Sequence, residues 1–126
     1  MTDAQRAVET YFAAWNARDP AQIAELVRAC VATDARLVAS YQIVEGCEAL
    51  AVLIAEFRNG RPEDRAVLTS KVESVGNWFR FCGRGEQPDG TRYSEVMDVG
   101  ELDDSGKIRR LTTFDTIVPA GVPAGA

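Results

Sequence analysis

Histidine is absent from the 126 residues. That removes Ser-His-Asp and Cys-His nucleophile relays and the usual zinc sites in one step. Proton transfer near neutral pH then falls to a carboxylate, tyrosine, cysteine or lysine whose surroundings shift its pKa, or to water. Cysteine is scarce: Cys30, Cys47 and Cys82 are odd in number and widely spaced. This fits small buried side chains in a reducing compartment better than a disulfide frame or a metal site. The longest apolar stretch, around Leu50-Ala-Val-Leu-Ile-Ala55, falls far short of a membrane span. The start lacks the cationic-then-apolar order of a signal peptide, so the expected location is the cytoplasm. Fourteen Lys and Arg against 19 Asp and Glu give a net charge of −5. Without a basic stripe there is no electrostatic footprint for nucleic acid or anionic lipid.

The chain is long enough for one domain with a real core and too short for two. Its organising stretch is Ala7-Val-Glu-Thr-Tyr-Phe-Ala-Ala-Trp-Asn-Ala-Arg-Asp-Pro20. Val8, Tyr11, Phe12 and Trp15 recur at i, i+3, i+4 and i+7, one stripe of an α-helix. A second helix is expected after Asp19-Pro20, with Asp19 as cap, Pro20 at the first position and Gln22 completing a capping box. Ile23, Leu26, Val27 and Cys30 form its apolar stripe, which ends near Ala32. A short strand over 35–40 and an irregular 41–46 precede a third helix with Leu50, Leu53, Ile54 and Phe57 on one face. Asn59-Gly60 and Pro62 stop that helix.

Beyond Arg65 the apolar period changes to two. Strands are expected over 66–75, 78–85, 91–102 and 107–118, joined by turns at Gly76-Asn77, Pro88-Asp89-Gly90 and Asp103-Asp-Ser-Gly106. Consecutive hairpins make an antiparallel sheet. The predicted class is α+β, ordered α-α-β-α-β-β-β-β, with three helices against one face of a strongly curved, mostly antiparallel sheet. A single domain spans 1–118, and 119–126 is a Pro/Gly/Ala tail. Val96 and Asp98 share one side of their strand and Met97 and Val99 the other, so the outer sheet face is expected to be covered by a second subunit, a homodimer.

Three stretches carry a family likeness: Tyr11-Phe-Ala-Ala-Trp-Asn-Ala-Arg-Asp19, the helix start Gly46-x-Glu-Ala-Leu, and Asp104-Ser-Gly-Lys-Ile-Arg-Arg-Leu-Thr-Thr-Phe-Asp115. Together they resemble the nuclear transport factor 2-like superfamily, and within it the SnoaL-like cyclases and ketosteroid isomerases. The resemblance implies a cone-shaped sheet wrapped on three helices, with an apolar pocket at its open end. It also implies that Tyr11 stands where the isomerases place an oxyanion-hole tyrosine. Asp98 falls where they carry a protonated aspartic acid, the enzyme being the standard example of a carboxyl held neutral by an apolar site. Asp115 lies near the acid/base aspartate of the cyclases, whose own position counts to Thr113. The plainer readings stay open: a core aromatic for Tyr11, a solvated Asp or a partner of Arg80 for Asp98, a solvated strand end for Asp115.

The isomerase general base should fall near Ala39-Ser40-Tyr41, where no carboxylate stands; Asp115 or Glu45 would have to substitute. Trp15, Tyr41, Phe57, Trp78, Val96 and Thr113 are the expected ligand-lining residues. The sequence thus points to an acid–base enzyme of isomerase, cyclase or dehydratase type, acting on a small apolar carbonyl- or epoxide-bearing molecule. Neither a metal nor an organic cofactor is called for. The rival expectation is a non-catalytic hydrophobic-ligand-binding or dimerising module.

Overall fold

In the computed structural model, which describes residues 1–40 and 42–115, three helices and seven strands follow in the order α1 (Asp3–Asn16), α2 (Pro20–Cys30), β1 (Val31–Ala39), β2 (Gln42–Glu45), α3 (Cys47–Gly60), β3 (Arg65–Leu68), β4 (Glu73–Val75), β5 (Trp78–Glu86), β6 (Arg92–Leu102) and β7 (Ile108–Asp115). Tyr41 and the tail over 119–126 lie outside the described residues.

Helix α1 is capped by a signal nearer its start than its apolar stripe. The Thr2 hydroxyl accepts from the Gln5 amide, and the Gln5 side chain accepts in return from Thr2 N–H, a capping box. At α2 the expected box is not formed. Asp19 is the cap residue and Pro20 opens the helix, but the Asp19 side chain makes no cap hydrogen bond. The helix also ends at Cys30 and turns directly into β1, because β-branched Val31 is drawn into parallel pairing with Ile108 on β7.

The sheet runs β2-β1-β7-β6-β5-β3, with β4 also on β5. It is mixed, curved and open: β1 and β7 are parallel, and every other pairing is antiparallel. Two expected segments resolve differently. The stretch 42–45 is a strand, β2, hairpinned onto β1. The single strand expected over 66–75 divides into β3 and β4, because Ser70 Oγ takes the Cys82 amide at 2.7 Å and interrupts the ladder.

The helices pack into the concave side. Val8, Ala14, Ile23, Val27, Ala35, Ile54 and Ile108 are fully buried there. Gly100 lets β6 press against its neighbours: a Cβ there would lie 2.7 Å from Arg110 O and 2.5 Å from Phe79 Cζ. At the end of α1, Asn16 closes the free edge of β3. Its amide donates to Ala66 O at 2.9 Å and its carbonyl accepts from Ala66 N at 2.8 Å, the pattern a neighbouring strand would supply. Arg28 on α2 grips Glu48 on α3 through two bonds of 2.7 and 3.0 Å. Cys30 and Cys47 are buried, Cys82 is half-buried, and all three are free thiols.

Candidate active site

Between α1, α3 and the concave sheet lies a cavity of about 270 Å3. Helix α1 supplies Tyr11, Phe12 and Trp15, and α3 supplies Leu50, Leu53, Phe57 and Arg58. The sheet contributes Leu37, Val38 and Ala39 from β1, Gln42 and Val44 from β2, Ala66 from β3, Gly83, Arg84 and Gly85 from β5, Ser94, Val96 and Asp98 from β6, and Thr113 from β7. The size is close to the lower end of small-molecule sites, and the few polar groups stand in an apolar wall.

The stripe on α1 explains the aromatic side of this cavity. Tyr11 meets Trp15 and Phe12 edge-on at 6.3 and 6.1 Å, Trp15 meets Phe57 at 5.4 Å, and Phe12 meets Phe81 at 5.5 Å. Such edge-to-face contacts fix ring orientation as well as burying area. Gly83 makes room for this layer, since a Cβ there would stand 2.9 Å from Phe12 Cζ.

Asp98 is the polar centre. It sits mid-strand on β6, opposite Phe81 on one side and Thr113 on the other, and is 3% exposed. Its Oδ1 is buried with no hydrogen-bond partner among the described residues. Burial pushes the carboxyl up to about 7; the Thr113 hydroxyl opposes the rise and the Asp115 charge adds to it. An aspartic acid in that range can both hold and release a proton near neutrality. Arg80, the partner considered from sequence, instead binds Glu73 at 3.0 Å.

Tyr11, Trp15, Phe57, Val96, Asp98 and Thr113 are thus brought together around one cavity. Two expected site residues are not. Asp115, two residues beyond Thr113 on the same face, is exposed at the strand end and accepts from Ser40 Oγ at 2.8 Å. It reaches Asp98 as a charge but does not line the cavity. Trp78 is 48% exposed and also outside the cavity. The physical reason is strand alternation: Phe79, Phe81 and Gly83 take the inward positions of β5, so Trp78 faces the other way. Glu45 is exposed as well and supplies no carboxylate to the wall. Tyr41 lies outside the described residues.

Arg58 was missed by sequence reasoning. Its signal was there: it falls four residues after Ile54, so a charged residue continues an apolar helical stripe. Among the described residues, no group of three or more His, Cys, Asp or Glu is placed to hold a metal ion. No helix among them is long and apolar enough to cross a membrane.

Three helices seated in an open, curved sheet, with an isolated acid in the hollow, define a pocket protein of the curved-sheet α+β class. No family model and no curated protein matches the chain. Solved structures do. A candidate isomerase of the SnoaL-like family from Agrobacterium tumefaciens is 32% identical, with a TM-score of 0.84 over 93% of this chain and 100% of the other. A candidate SnoaL-like polyketide cyclase from Jannaschia sp. CCS1 is 22% identical, with a TM-score of 0.68 over 90% and 85% of the two chains. A de novo designed protein with a curved β-sheet shares the fold at 21% identity, with a TM-score of 0.67 over 90% of this chain and 86% of the other. The chain belongs to the SnoaL-like family.

Proposed function

We propose that the protein is a cofactor-independent acid–base enzyme of isomerase or cyclase type, acting on a small, largely apolar molecule that bears a carbonyl group. The observation that carries this reading is Asp98: a carboxyl in the cavity wall, 3% exposed, with one oxygen unpartnered among the described residues and a pKa raised to about 7. In its ionised form Asp98 takes a proton from the carbon beside the carbonyl. The C–H electron pair moves into the new C=C bond, and charge develops on the carbonyl oxygen, where Tyr11 donates a hydrogen bond. Asp98 then returns the proton to a different carbon, which restores the carboxylate and leaves an isomer.

This assignment answers the empty base position on β1, where the inward-facing Leu37 and Ala39 offer only apolar side chains. It moves the proton-carrying role from Asp115, which is exposed, to Asp98. The description of the Agrobacterium relative as a candidate isomerase agrees in reaction class. The test is turnover of a panel of small enones and epoxides by wild type, Asp98→Asn and Tyr11→Phe. Wild-type activity rising with pH through about 7 and lost in Asp98→Asn is expected; undiminished activity in Asp98→Asn removes the mechanism.

The apolar β1 wall also favours a second reading, a non-catalytic binder of hydrophobic ligands. Ligand binding by wild type and Asp98→Asn alike, with no turnover of any panel member, would decide for it. In either reading we propose a homodimer through the outer sheet face. Strand register places Ile43 beside Val38, Val38 beside Thr112, Thr112 beside Val99, and Phe114 beside Met97. Ile43 and Phe114 are each 53% exposed, so this face carries a largely apolar surface suited to cover.

A further inference from the structure

We propose that Arg58 is the anion-recognising residue of the cavity, so that the molecule bound there carries a carboxylate on its apolar body. The inference deepens the acid–base reading and rests on it for the ligand's reacting end.

Arg58 occupies the last turn of α3 and is 5% exposed. Its two terminal nitrogens donate to backbone carbonyls of the following loop, to Asp64 O and, at 2.8 Å, to Pro62 O. Its Nε is buried and has no partner among the described residues. Nor does any described carboxylate form a salt bridge with it. Asp64 is the nearest acid in sequence, and its carboxylate is engaged by Arg61 at 3.1 Å. Asp98 does not pair with it either: its Oδ1 and the Arg58 Nε are both buried and without a hydrogen-bond partner among the described residues.

A guanidinium stays charged at any ordinary pH, and a buried charge is costly unless it is paired. Backbone carbonyls solvate part of this one but supply no net negative charge. Arg58 lines the cavity, whose volume of about 270 Å3 admits an anion. A carboxylate suits best, because its two oxygens match guanidinium donors in charge-assisted hydrogen bonds. Leu50, Leu53 and Phe57 on the same helix then form the apolar wall along the rest of the ligand. Were the residue needed only to fill space, an uncharged side chain would continue the stripe at less cost.

The test is calorimetric binding of 1-naphthaleneacetate and of its neutral isostere 1-naphthaleneacetamide, at about pH 6 so that Asp98 is mostly protonated while the acid probe is ionised. Wild type is expected to prefer the carboxylate by about tenfold or more, the worth of a hydrogen bond to a charged group. Arg58→Gln should reduce that preference to about twofold or less with amide binding unchanged. Arg84, the other arginine lining the cavity, is already paired with Glu86, so Arg84→Gln should keep the preference, and its loss there overturns the inference. Equal binding of both probes by wild type, or a preference surviving Arg58→Gln, overturns the inference. Because loss of the loop contacts can unfold Arg58→Gln, the Arg58 Nε–H resonance of wild type is followed as well. It should move with the carboxylate and not with the amide; no movement also overturns the inference. Asp98→Asn separates the two proposals. Full turnover in that variant sinks the acid–base reading, whereas the probe preference alone decides Arg58. Binding of neither probe overturns the Arg58 inference and leaves the acid–base reading to the turnover test.

Discussion

Replacing Asp98 by Asn converts a pH-dependent liability into a neutral isostere, and the size of the effect follows from burial. In the folded chain the carboxyl holds its proton up to about pH 7, whereas in the unfolded chain it releases it near 3.8. Between those values the folded state binds more protons than the unfolded state, so this group's contribution to stability falls as pH rises. Below the window both states are protonated, and above it both are ionised, so the contribution is level at each end. The full difference corresponds to about 4 kcal/mol, a large share of a typical domain's stability. Asn at 98 is uncharged throughout and can still face the Thr113 hydroxyl. The stability of Asp98→Asn relative to wild type should therefore increase by about 3–4 kcal/mol between about pH 4 and pH 8. Urea unfolding followed by Trp15 and Trp78 fluorescence across that range measures it, and subtracting the two proteins cancels every other titrating group. A difference that stays constant with pH would show that Asp98 is not held neutral by the fold, and the proposed proton carrier would go with it.

Asn16→Ala should cost about 1–2 kcal/mol, for two exposed hydrogen bonds to Ala66, and speed hydrogen exchange at the Ala66 amide. Unchanged exchange would mean that β3 needs no edge cover. Gly100→Ala forces a Cβ against Arg110 O, a backbone atom that cannot swing aside, and is expected to destabilise by about 1–3 kcal/mol in thermal unfolding. Wild-type stability there would contradict the close approach of β6 to β7. Phe114→Glu places a charge in the outer apolar band and should turn a dimer into a monomer in sedimentation, leaving ligand binding intact. A wild type that already sediments as a monomer refutes the proposed interface.

Much of this molecule is written in local pattern. Val8, Tyr11, Phe12 and Trp15 sit at helical spacing, and their stripe forms one wall of the cavity. Val96 and Asp98 share a strand face by alternation, and both point to the same hollow. These features need only periods of 3.6 and 2, which a sequence carries by itself. The turns at Gly76, Gly90 and Gly106 are likewise local, each glycine adopting a positive φ.

What the tertiary structure decided involves residues far apart in the chain. Parallel pairing of Val31 with Ile108 ended α2 early, and a hydroxyl from Ser70 split one expected strand into β3 and β4. Neither partner is visible from the local pattern of the other. Alternation said that Asp115 shares a face with Thr113, but not that the cavity stops before it; depth along a strand depends on where the helices end. Trp78 is expected at the pocket as a large aromatic, but the inward positions of β5 go to Phe79 and Phe81. Arg58 is the sharpest case: the sequence marks a charge in an apolar stripe, while only the packed loop shows that backbone carbonyls hold it, with no carboxylate among the described residues paired to it. Periodicity determines which face a side chain takes, because neighbouring residues set it; whether that face meets protein, cavity or water depends on distant segments, and those meet only when the chain folds.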